Sequence, residues 1–379
     1  MSTLKVDAIR HNSATSDAIT TAADGTCTAK LTSIGGGGLS HRNIIINGAM
    51  NVAQYGTSIS NTGGIAGRSV DRFFCQNTGS TSAVQTFSQE VDGPVGFYNS
   101  AKATCTTALT SYGSGDQSKI EYRIEGSDLA HVQLGTSNAQ TLSVSFYVKS
   151  NKTGNSAIGL INQDNNRSFV HQYTIASANT WQRVSFKVVG DTTGTWFKNT
   201  GTGMRMRWGT FGTSFQTGTF DAWQAGQLMA TSNSPINFNS ATGDYIQITG
   251  VQVELGDTVT SFEHRSISDE LRRCQRYYER IPIDVSEIFL FGVNQFSSPG
   301  SIRFPFKVSK RAVPSAVSID NGNFSYYAVQ GSGSNGNSNF TVNALTTEAM
   351  QIKSTGAAAN TVWWCNKTNT GYIDASAEF

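Results

Sequence analysis

The sequence predicts an all-β protein whose largest part is an antiparallel β-sandwich. Glycine accounts for 38 of the 379 residues, and glycine adopts positive φ angles at low cost, which suits many short strands joined by tight turns. Apolar and polar residues alternate through residues 41–265, most clearly where Leu142, Val144, Phe146 and Val148 are separated by polar neighbours. A period of two is typical of strands with one buried and one wet face.

The length suits two or three domains. We predict four segments: an N-terminal attachment arm with a glycine linker at 1–40, a β-sandwich at 41–265, one connecting α-helix at 266–282, and a small C-terminal β domain at 283–379.

The arm has too few apolar side chains for a core of its own, so we expect it to become ordered against partners. The side chains expected to contact other chains are Leu4, Val6, Ile9, Ile19 and Leu31. The four glycines at 35–38 are interpreted as a hinge, since no Lys-Ser/Thr pair follows them as a phosphate-binding loop requires.

Within the sandwich, Val184, Phe186 and Val188 form a second alternating strand, with Arg183, Ser185 and Lys187 expected on its wet face. Between Tyr245 and Leu255 the apolar residues change from even-numbered to odd-numbered positions, with Gly250 where the change occurs. This shift by one residue predicts a β-bulge there. The tryptophans assigned to the core are Trp181, Trp196, Trp208 and Trp223.

The connecting helix is predicted from a capping pair, Ser266 with Asp269. One apolar stripe at helical spacing comprises Ile267, Leu271, Cys274 and Tyr278. Pro282 is expected to stop the helix. The arginines on its other faces are interpreted as surface residues rather than as a nucleic-acid contact. Pro305 predicts that the strand around it lies at a sheet edge.

The composition argues against several function classes. The formal net charge is +2, too small to gather nucleic acid. The five cysteines are scattered without a CxxC pair, which indicates free thiols and synthesis in a reducing compartment. Neither a signal-peptide pattern nor an 18-residue apolar run is present, so neither Sec export nor membrane insertion is expected.

Two sequence segments near the ends of the predicted sandwich resemble a module of bacteriophage tail-fibre and tail-associated proteins. The first is HRNIIINGAMNVAQYG at 41–56, followed by DRF at 71–73; the second is YIQITGVQVELG at 245–256, followed by FEHR at 262–265 and LRRCQRYY at 271–278. The opening STLKVDAI at 2–9 is similar to the start of fibre proteins from phages of cyanobacteria and marine bacteria.

This resemblance implies a jelly-roll sandwich similar to carbohydrate-binding modules, carried on a homotrimeric fibre. Its N-terminal part would dock to tail, adaptor or baseplate proteins, and the protein, made in the host cytoplasm, would be located in the virion tail. The implied role is non-catalytic adsorption to host-surface polysaccharide or lipopolysaccharide, without a cofactor. Three alternatives stay open: a polysaccharide depolymerase, a purely structural fibre or baseplate spacer, and a secreted bacterial carbohydrate-binding protein.

Sugars stack on exposed aromatic rings beside amide and carboxylate groups. Adjacent aromatic residues in a strand point to opposite faces, so one of each pair is expected to face outward. The candidate receptor-binding residues are Tyr326 and Tyr327, beside the loop at 331–339, and the C-terminal group Trp363, Trp364, Asn366, Tyr372 and Asp374.

No catalytic constellation is evident. Glu121 and Glu125 are the nearest approach to the carboxylate pair of a glycosidase, and a solvated strand is the preferred interpretation of both. Glu254 could bind a structural calcium, but no dense ligand loop supports a metal site, so none is predicted.

Overall fold

The computed structural model describes residues 6–10, 12–13, 15–24, 27–29, 42–62, 66–79, 84–283, 290–293, 301–319, 324–328, 336–337, 340–354, 362–367 and 371–379. Leu4, Leu31, the glycines at 35–38 and most of the loop at 331–339 lie outside these residues. The side chains of five predicted receptor-binding residues lie outside them as well: Tyr326, Tyr327, Trp363, Trp364 and Asn366.

Two six-stranded sheets form the sandwich, and their strand pairings are antiparallel throughout. Sheet I contains, in spatial order, Trp223–Ala225, Arg167–Ile175, Gly154–Asn162, Thr202–Phe211, Gln117–Glu125 and Phe73–Thr78. Sheet II contains Gln182–Val188, Leu142–Ser150, Tyr245–Leu255, Ser100–Thr107, Val84–Glu90 and Ser58–Thr62. The predicted all-β fold with an antiparallel sandwich is confirmed.

The main core lies between the two sheets. The Phe146 ring of sheet II packs edge-on against Trp208 of sheet I at 5.6 Å between centroids, and both side chains are fully buried. The apolar residues of both predicted strands are buried with them. Burying one such side chain stabilises the fold by about 1.5–3 kcal/mol. The predicted alternation therefore identifies the core correctly.

The expectation of a solvent-exposed outer face on the strand Leu142–Ser150 is wrong for the first half of this strand. Ser143 and Ser145 are buried, whereas Tyr147 and Lys149 are partly exposed. The chain that follows Leu255 returns across this end of sheet II, and the Ser143 hydroxyl donates a hydrogen bond of 2.7 Å to the Gly256 carbonyl. Alternation along a strand cannot reveal such a covering segment.

Gly250 marks the predicted bulge. The pairing of Tyr245–Leu255 with Leu142–Ser150 shifts register between Thr249 and Gln252, and Gly250 has a φ of +60°. Such a backbone favours glycine, so the prediction is confirmed.

The two sequence segments that resemble the tail-fibre module contact each other in the folded protein. The Asn43 side chain donates to the Val251 carbonyl at 3.1 Å and accepts from the Val253 amide at 3.1 Å. Arg265 donates to the Ile45 carbonyl at 3.0 Å. The beginning and the end of the sandwich thus close on each other.

The longer helix spans Ile267–Gln275, and the Ser266 hydroxyl accepts from the Asp269 amide at 3.2 Å, as predicted for its cap. The expected extent of 266–282 is wrong. Tyr278–Ile283 is a strand that pairs with Gly371–Ser376, a long-range partner that overrides the helical pattern. Ile267 is 56% exposed instead of joining the buried stripe. A one-turn helix, Gly126–Leu129, and two 3-10 turns, Ala130–Val132 and Thr213–Phe215, complete the described helices.

The C-terminal part consists of small sheets. Their strands, in spatial order within each sheet, are Tyr278–Ile283, Gly371–Ser376 and Ala316–Ile319; Leu290–Val293, Val362–Lys367, Phe324–Ala328 and Gly336–Asn337; and Ser301–Pro305, Ala349–Ser354 and Phe340–Leu345. The strand that ends at Pro305 is at an edge, as predicted. The predicted division at 283 remains a prediction, although the first of these strands begins at Tyr278.

Two short groups of strands lie outside the main sheets. In the arm, Ala8–Ile9, Ile19–Thr21 and Cys27–Ala29 form a three-stranded sheet. Val6 and Ile9 are 43% and 53% exposed, and their contact with other chains remains a prediction. Gln216–Thr217 pairs in parallel with Ala230–Thr231. Within the described residues, no helix has the length and apolar character needed to cross a membrane.

Candidate functional site

The outer face of sheet II carries aromatic and polar side chains together. Tyr147 and Lys149 alternate with the buried residues of their strand, so both point away from the core. Strand register places Arg183 opposite Tyr147 and Gln247 opposite Lys149. Trp181 directly precedes the edge strand Gln182–Val188, and it lies beside Lys149, whose ammonium is 5.2 Å from the ring centroid. We call this surface the aromatic face.

Asp92 is the hydrogen-bonding centre of the aromatic face. Its carboxylate accepts from the Trp181 indole at 3.2 Å and from the Gln247 amide at 3.1 Å, and it forms an ion pair with Lys149. Burial alone would raise the pKa of Asp92, but the hydrogen bonds from Lys149 and the other two donors lower it below its usual range. The carboxylate stays ionised and fixes three side chains around it.

A cleft of about 300 Å³ continues the aromatic face toward the bulge at Gly250. Its walls include Tyr147, Phe97 and Phe262, with Phe97 packed against Tyr147 at 5.3 Å and edge-on to Phe262 at 4.9 Å. Arg183 and His264 supply polar groups at the same cleft. The cleft therefore combines three aromatic rings with polar side chains.

At the other end of the aromatic face, Tyr245 extends the row of rings. Its hydroxyl donates to the Asn179 side chain at 2.7 Å, and the Lys102 ammonium is 4.4 Å from its ring centroid. Rings spaced along an open face beside amide and charged groups are suited to a chain of sugar units, each stacking through C–H groups and hydrogen-bonding through hydroxyls.

The assignment of all four tryptophans to the core is wrong for Trp181 and only partly right for Trp223. Trp196 and Trp208 are buried, whereas Trp181 and Trp223 are intermediate in exposure. Trp181 has the same parity as Arg183, Ser185 and Lys187, so the pattern that predicts their wet face also predicts an outward Trp181. Asp92 lies in a loop, and no periodic signal identifies it.

The predicted C-terminal candidates are distributed over two sheets. Tyr372 is 38% exposed and stacks under the Arg280 guanidinium at 4.1 Å, while Asp374 accepts two hydrogen bonds of 2.8 Å from Arg280. In the other sheet, backbone pairing brings the remaining candidates together: Tyr327 lies opposite Trp364, Tyr326 opposite Cys365, Ala328 opposite Trp363, and Ser325 opposite Asn366. Their role in receptor binding remains a prediction.

Glu121 and Glu125 are both buried, so the expectation of a solvated strand is wrong. Burial alone would raise the pKa of Glu121, but Arg207 and Arg123 outweigh it and lower that pKa to about 2. Burial likewise opposes ionisation of Glu125, yet hydrogen bonds from Arg276 and Tyr277 lower its pKa. Both carboxylates stay charged, whereas a glycosidase requires one protonated acid.

Both carboxylate oxygens of Glu254 also accept hydrogen bonds within the protein. It is buried, and its two oxygens accept from the amide and the hydroxyl of Thr260 at 3.0 and 2.5 Å. The described residues contain no cluster of His, Cys, Asp and Glu side chains that could hold a metal ion. Cys75, Cys105 and Cys274 are free and buried.

No protein-family model matches the chain, and no curated protein matches it in sequence. Solved structures similar to it include the enzymatically active domain of tailspike protein 4 from bacteriophage CBA120 (14% identity, TM-score 0.32), a CBM4 structure (11%, 0.30), and the family 11 carbohydrate-binding module from Clostridium thermocellum with a β-1,3-1,4-mixed-linked tetrasaccharide (9%, 0.26). The matches cover 60%, 55% and 51% of this chain, and 24%, 98% and 91% of those chains respectively. The chain thus spans about a quarter of the tailspike chain. The function proposed below rests on the geometry of the site and on the sequence.

Proposed function

We propose that this protein is a non-catalytic glycan-binding protein of a phage tail and that it holds host-surface saccharide on the aromatic face. The observation that carries the proposal is that the Asp92 carboxylate holds Trp181, Lys149 and Gln247 together. The strand that carries Lys149 also presents the outward Tyr147 on the same face.

Binding on this face needs little reorganisation. Asp92 fixes the Trp181 indole by a hydrogen bond, so stacking a sugar on the ring costs little additional conformational entropy. Lys149 and Arg183 offer donors to ring hydroxyls at the edge of the stack. Weak sites of this kind become effective when several copies act together on one cell surface.

The state of the buried carboxylates supports the non-catalytic part of the proposal. Glu121 and Glu125 are held as anions by arginines, so neither is suited to donate a proton to a leaving group. A reducing-end assay on host polysaccharide tests this part directly, and sustained release of ends would overturn it.

The assignment to a phage tail has two supports. The segments at 41–56 and 245–256 that resemble the tail-fibre module close on each other through Asn43, as the two ends of one module should. The arm exposes Val6 and Ile9, which is consistent with burial against other chains in a homotrimer or on a tail, adaptor or baseplate protein. Truncating the arm should abolish incorporation into particles and leave the sandwich folded; normal assembly of the truncated protein would end the attachment role.

The glycan-binding role can be tested with the purified full chain on a glycan array and on host cells. We expect binding to a defined set of host-surface glycans, lost in the variant Trp181→Ala. If the wild-type protein bound neither the array nor host cells, while circular dichroism showed it folded, the spacer alternative would replace this proposal.

A further inference from the structure

The outer face of sheet I, on the opposite side of the sandwich, concentrates positive charge. Two neighbouring strands place Arg207 opposite Glu121 and Arg205 opposite Arg123. Lys119 lies on the same face, with its ammonium 3.8 Å from a Glu121 oxygen. Four basic side chains therefore surround one buried carboxylate, and burial lowers the pKa of one of them, Lys119, to about 7.

The carboxylate of Glu121 does not form hydrogen bonds with all of these basic side chains. It accepts hydrogen bonds of 2.6 Å from Arg123 and from Arg207, whereas the nearest Arg205 nitrogen stays 3.9 Å away. Two like charges directly opposite each other in a sheet destabilise the pairing unless an anion lies between them. Burial lowers the pKa of Arg205 to about 10, and the charges of Arg207 and Arg123 add to this effect. Glu121 and the exposed Asp164 act in the opposite direction without offsetting it.

Donors remain available on the open side of this face. Among the described residues, Arg123 uses only Nε in a hydrogen bond, so its two terminal nitrogens have no hydrogen-bond acceptor, and its side chain is 22% exposed. The terminal nitrogens of Arg205 contact the side-chain oxygens of Asn165 and Gln163, at 2.7 and 3.1 Å, and Arg205 Nε is buried without a hydrogen bond. The segment around Met229 covers Arg207, whose guanidinium donates to the Met229 sulfur at 2.9 Å.

We propose that Arg123 and Arg205 form a binding site for an anionic group of an acidic polysaccharide, a carboxylate or a sulfate, on the face opposite the aromatic face. The planar fork of a guanidinium matches such a group with two parallel hydrogen bonds. Phe74 holds Arg123 in place, with the guanidinium 5.0 Å from the ring centroid. Partial burial strengthens the charge interaction relative to a fully exposed arginine.

The probe is an oligogalacturonate, compared with its methyl ester, which keeps the sugar backbone and removes the charge. We expect the wild-type protein to bind the acid and not the ester in calorimetry. Arg123→Gln should weaken binding at least about tenfold, since it removes charge-assisted hydrogen bonds to the anionic group. Arg303→Gln, which removes an exposed arginine of the C-terminal part, is the charge-matched control and should bind as the wild type does.

Arg205→Gln provides a second variant, because Arg205 makes no hydrogen bond to Glu121 and its loss disturbs the buried carboxylate less. Thermal melts of each variant establish that it is folded. Inorganic sulfate, titrated alone, separates the sources: binding of sulfate at millimolar concentration with no measurable binding of oligogalacturonate identifies a free-anion site and overturns the polysaccharide proposal. Equal affinities in Arg123→Gln, Arg205→Gln and Arg303→Gln would overturn it too. Trp181→Ala should leave this binding unchanged, so this test and that of the aromatic face can fail separately.

Discussion

The fully buried guanidinium of Arg72 in the sandwich forms an ion pair with Glu378, 306 residues further along the chain. The same guanidinium donates to the Arg123 carbonyl at 2.7 Å and lies 3.4 Å from the centroid of the Tyr277 ring. Within the C-terminal part, Lys310 and Glu279 form a second pair with no exposed surface at 2.6 Å. The buried Arg72–Glu378 pair connects the sandwich with the C-terminal part, so these parts are expected to unfold together.

Glu378→Gln should destabilise the protein by about 3–5 kcal/mol, because it leaves the Arg72 charge buried without its counterion. Urea unfolding followed by tryptophan fluorescence measures the change. Arg72→Met in the same chain should recover part of the loss, since no unpaired charge then remains. Lys187→Gln, which breaks an exposed pair with Asp257, is the control and should change stability by less than about 1 kcal/mol. Equal effects of Glu378→Gln and Lys187→Gln would contradict the role of the buried pair.

Asp71 should give the protein a stability that decreases as pH rises. Burial raises the pKa of Asp71 to about 7, even though Gln54 donates two hydrogen bonds to its carboxylate. A raised folded-state pKa means that the folded protein holds the proton more tightly, so this contribution is full below pH of about 4 and is lost as pH rises to about 7.

The measurement compares urea unfolding of the wild type and of Asp71→Asn between pH 4 and 8. The wild type should lose stability relative to the variant across this window, by an amount on the order of a few kcal/mol. Asp257→Asn removes an exposed carboxylate and should leave the profile above pH 5 unchanged. Parallel profiles for wild type and Asp71→Asn would show that Asp71 is ionised at pH 4.

The strands of the sandwich could be predicted from sequence because one buried face imposes a period of two, as at Leu142, Val144 and Phe146. What the period cannot reveal is a partner far away in the chain. Glu121 follows an outward parity, but Arg207 from another strand buries it. The helix was predicted too long for the same reason: the strand at Tyr278 is created by its pairing with Ser376.

The candidate site was only partly accessible to sequence reasoning. The parity of Trp181 with Arg183 could have identified an outward ring, but the general rule that sandwich tryptophans are core outweighed it. Asp92 precedes no periodic pattern, and it becomes informative only when Lys149 and Gln247 are seen to converge on it. A site assembled from a loop and two strands leaves no local spacing to recognise.

Trp181→Ala should weaken glycan binding by about tenfold or more, because an aromatic anchor in the centre of a contact contributes well over 1 kcal/mol. Trp181→Phe should weaken binding less than Trp181→Ala does, since it keeps a ring for stacking and loses only the hydrogen bond to Asp92. Affinity electrophoresis or calorimetry with the glycan identified on the array measures both. Tyr372→Ala tests the C-terminal candidate in the same assay. The reverse pattern, with Tyr372→Ala weakening and Trp181→Ala retaining binding, would move the site to the C-terminal part.

Asp92→Asn should also weaken binding, because Asp92 positions the side chains that contact the glycan and does not contact the glycan itself. The carboxylate accepts from Trp181 on one oxygen and from Lys149 and Gln247 on the other, whereas an amide is uncharged and has one acceptor oxygen, so Lys149 and Trp181 lose their common anchor. We expect the affinity to fall while the melting temperature changes little, because Asp92 is 43% exposed at its side chain. Asp221→Asn, at an exposed carboxylate paired with His171, is the control. Unchanged affinity in Asp92→Asn would show that the rings need no such anchor.

Gly250→Ala links the bulge to the cleft and gives the most specific test of the site. A Cβ at this position would lie 2.8 Å from the Phe97 ring and 2.9 Å from the Tyr147 ring, closer than real contacts allow, so the two rings would have to move apart. Gly226 has a comparable left-handed backbone, φ +94°, and open space around it, so Gly226→Ala imposes the backbone cost alone, about 1–2 kcal/mol. Both variants should melt at a lower temperature, but only Gly250→Ala should lose glycan affinity beyond what its unfolded fraction explains. Equal affinities in the two folded variants would show that the positions of Phe97 and Tyr147 do not matter for binding, and the cleft would then have to be removed from the proposed site.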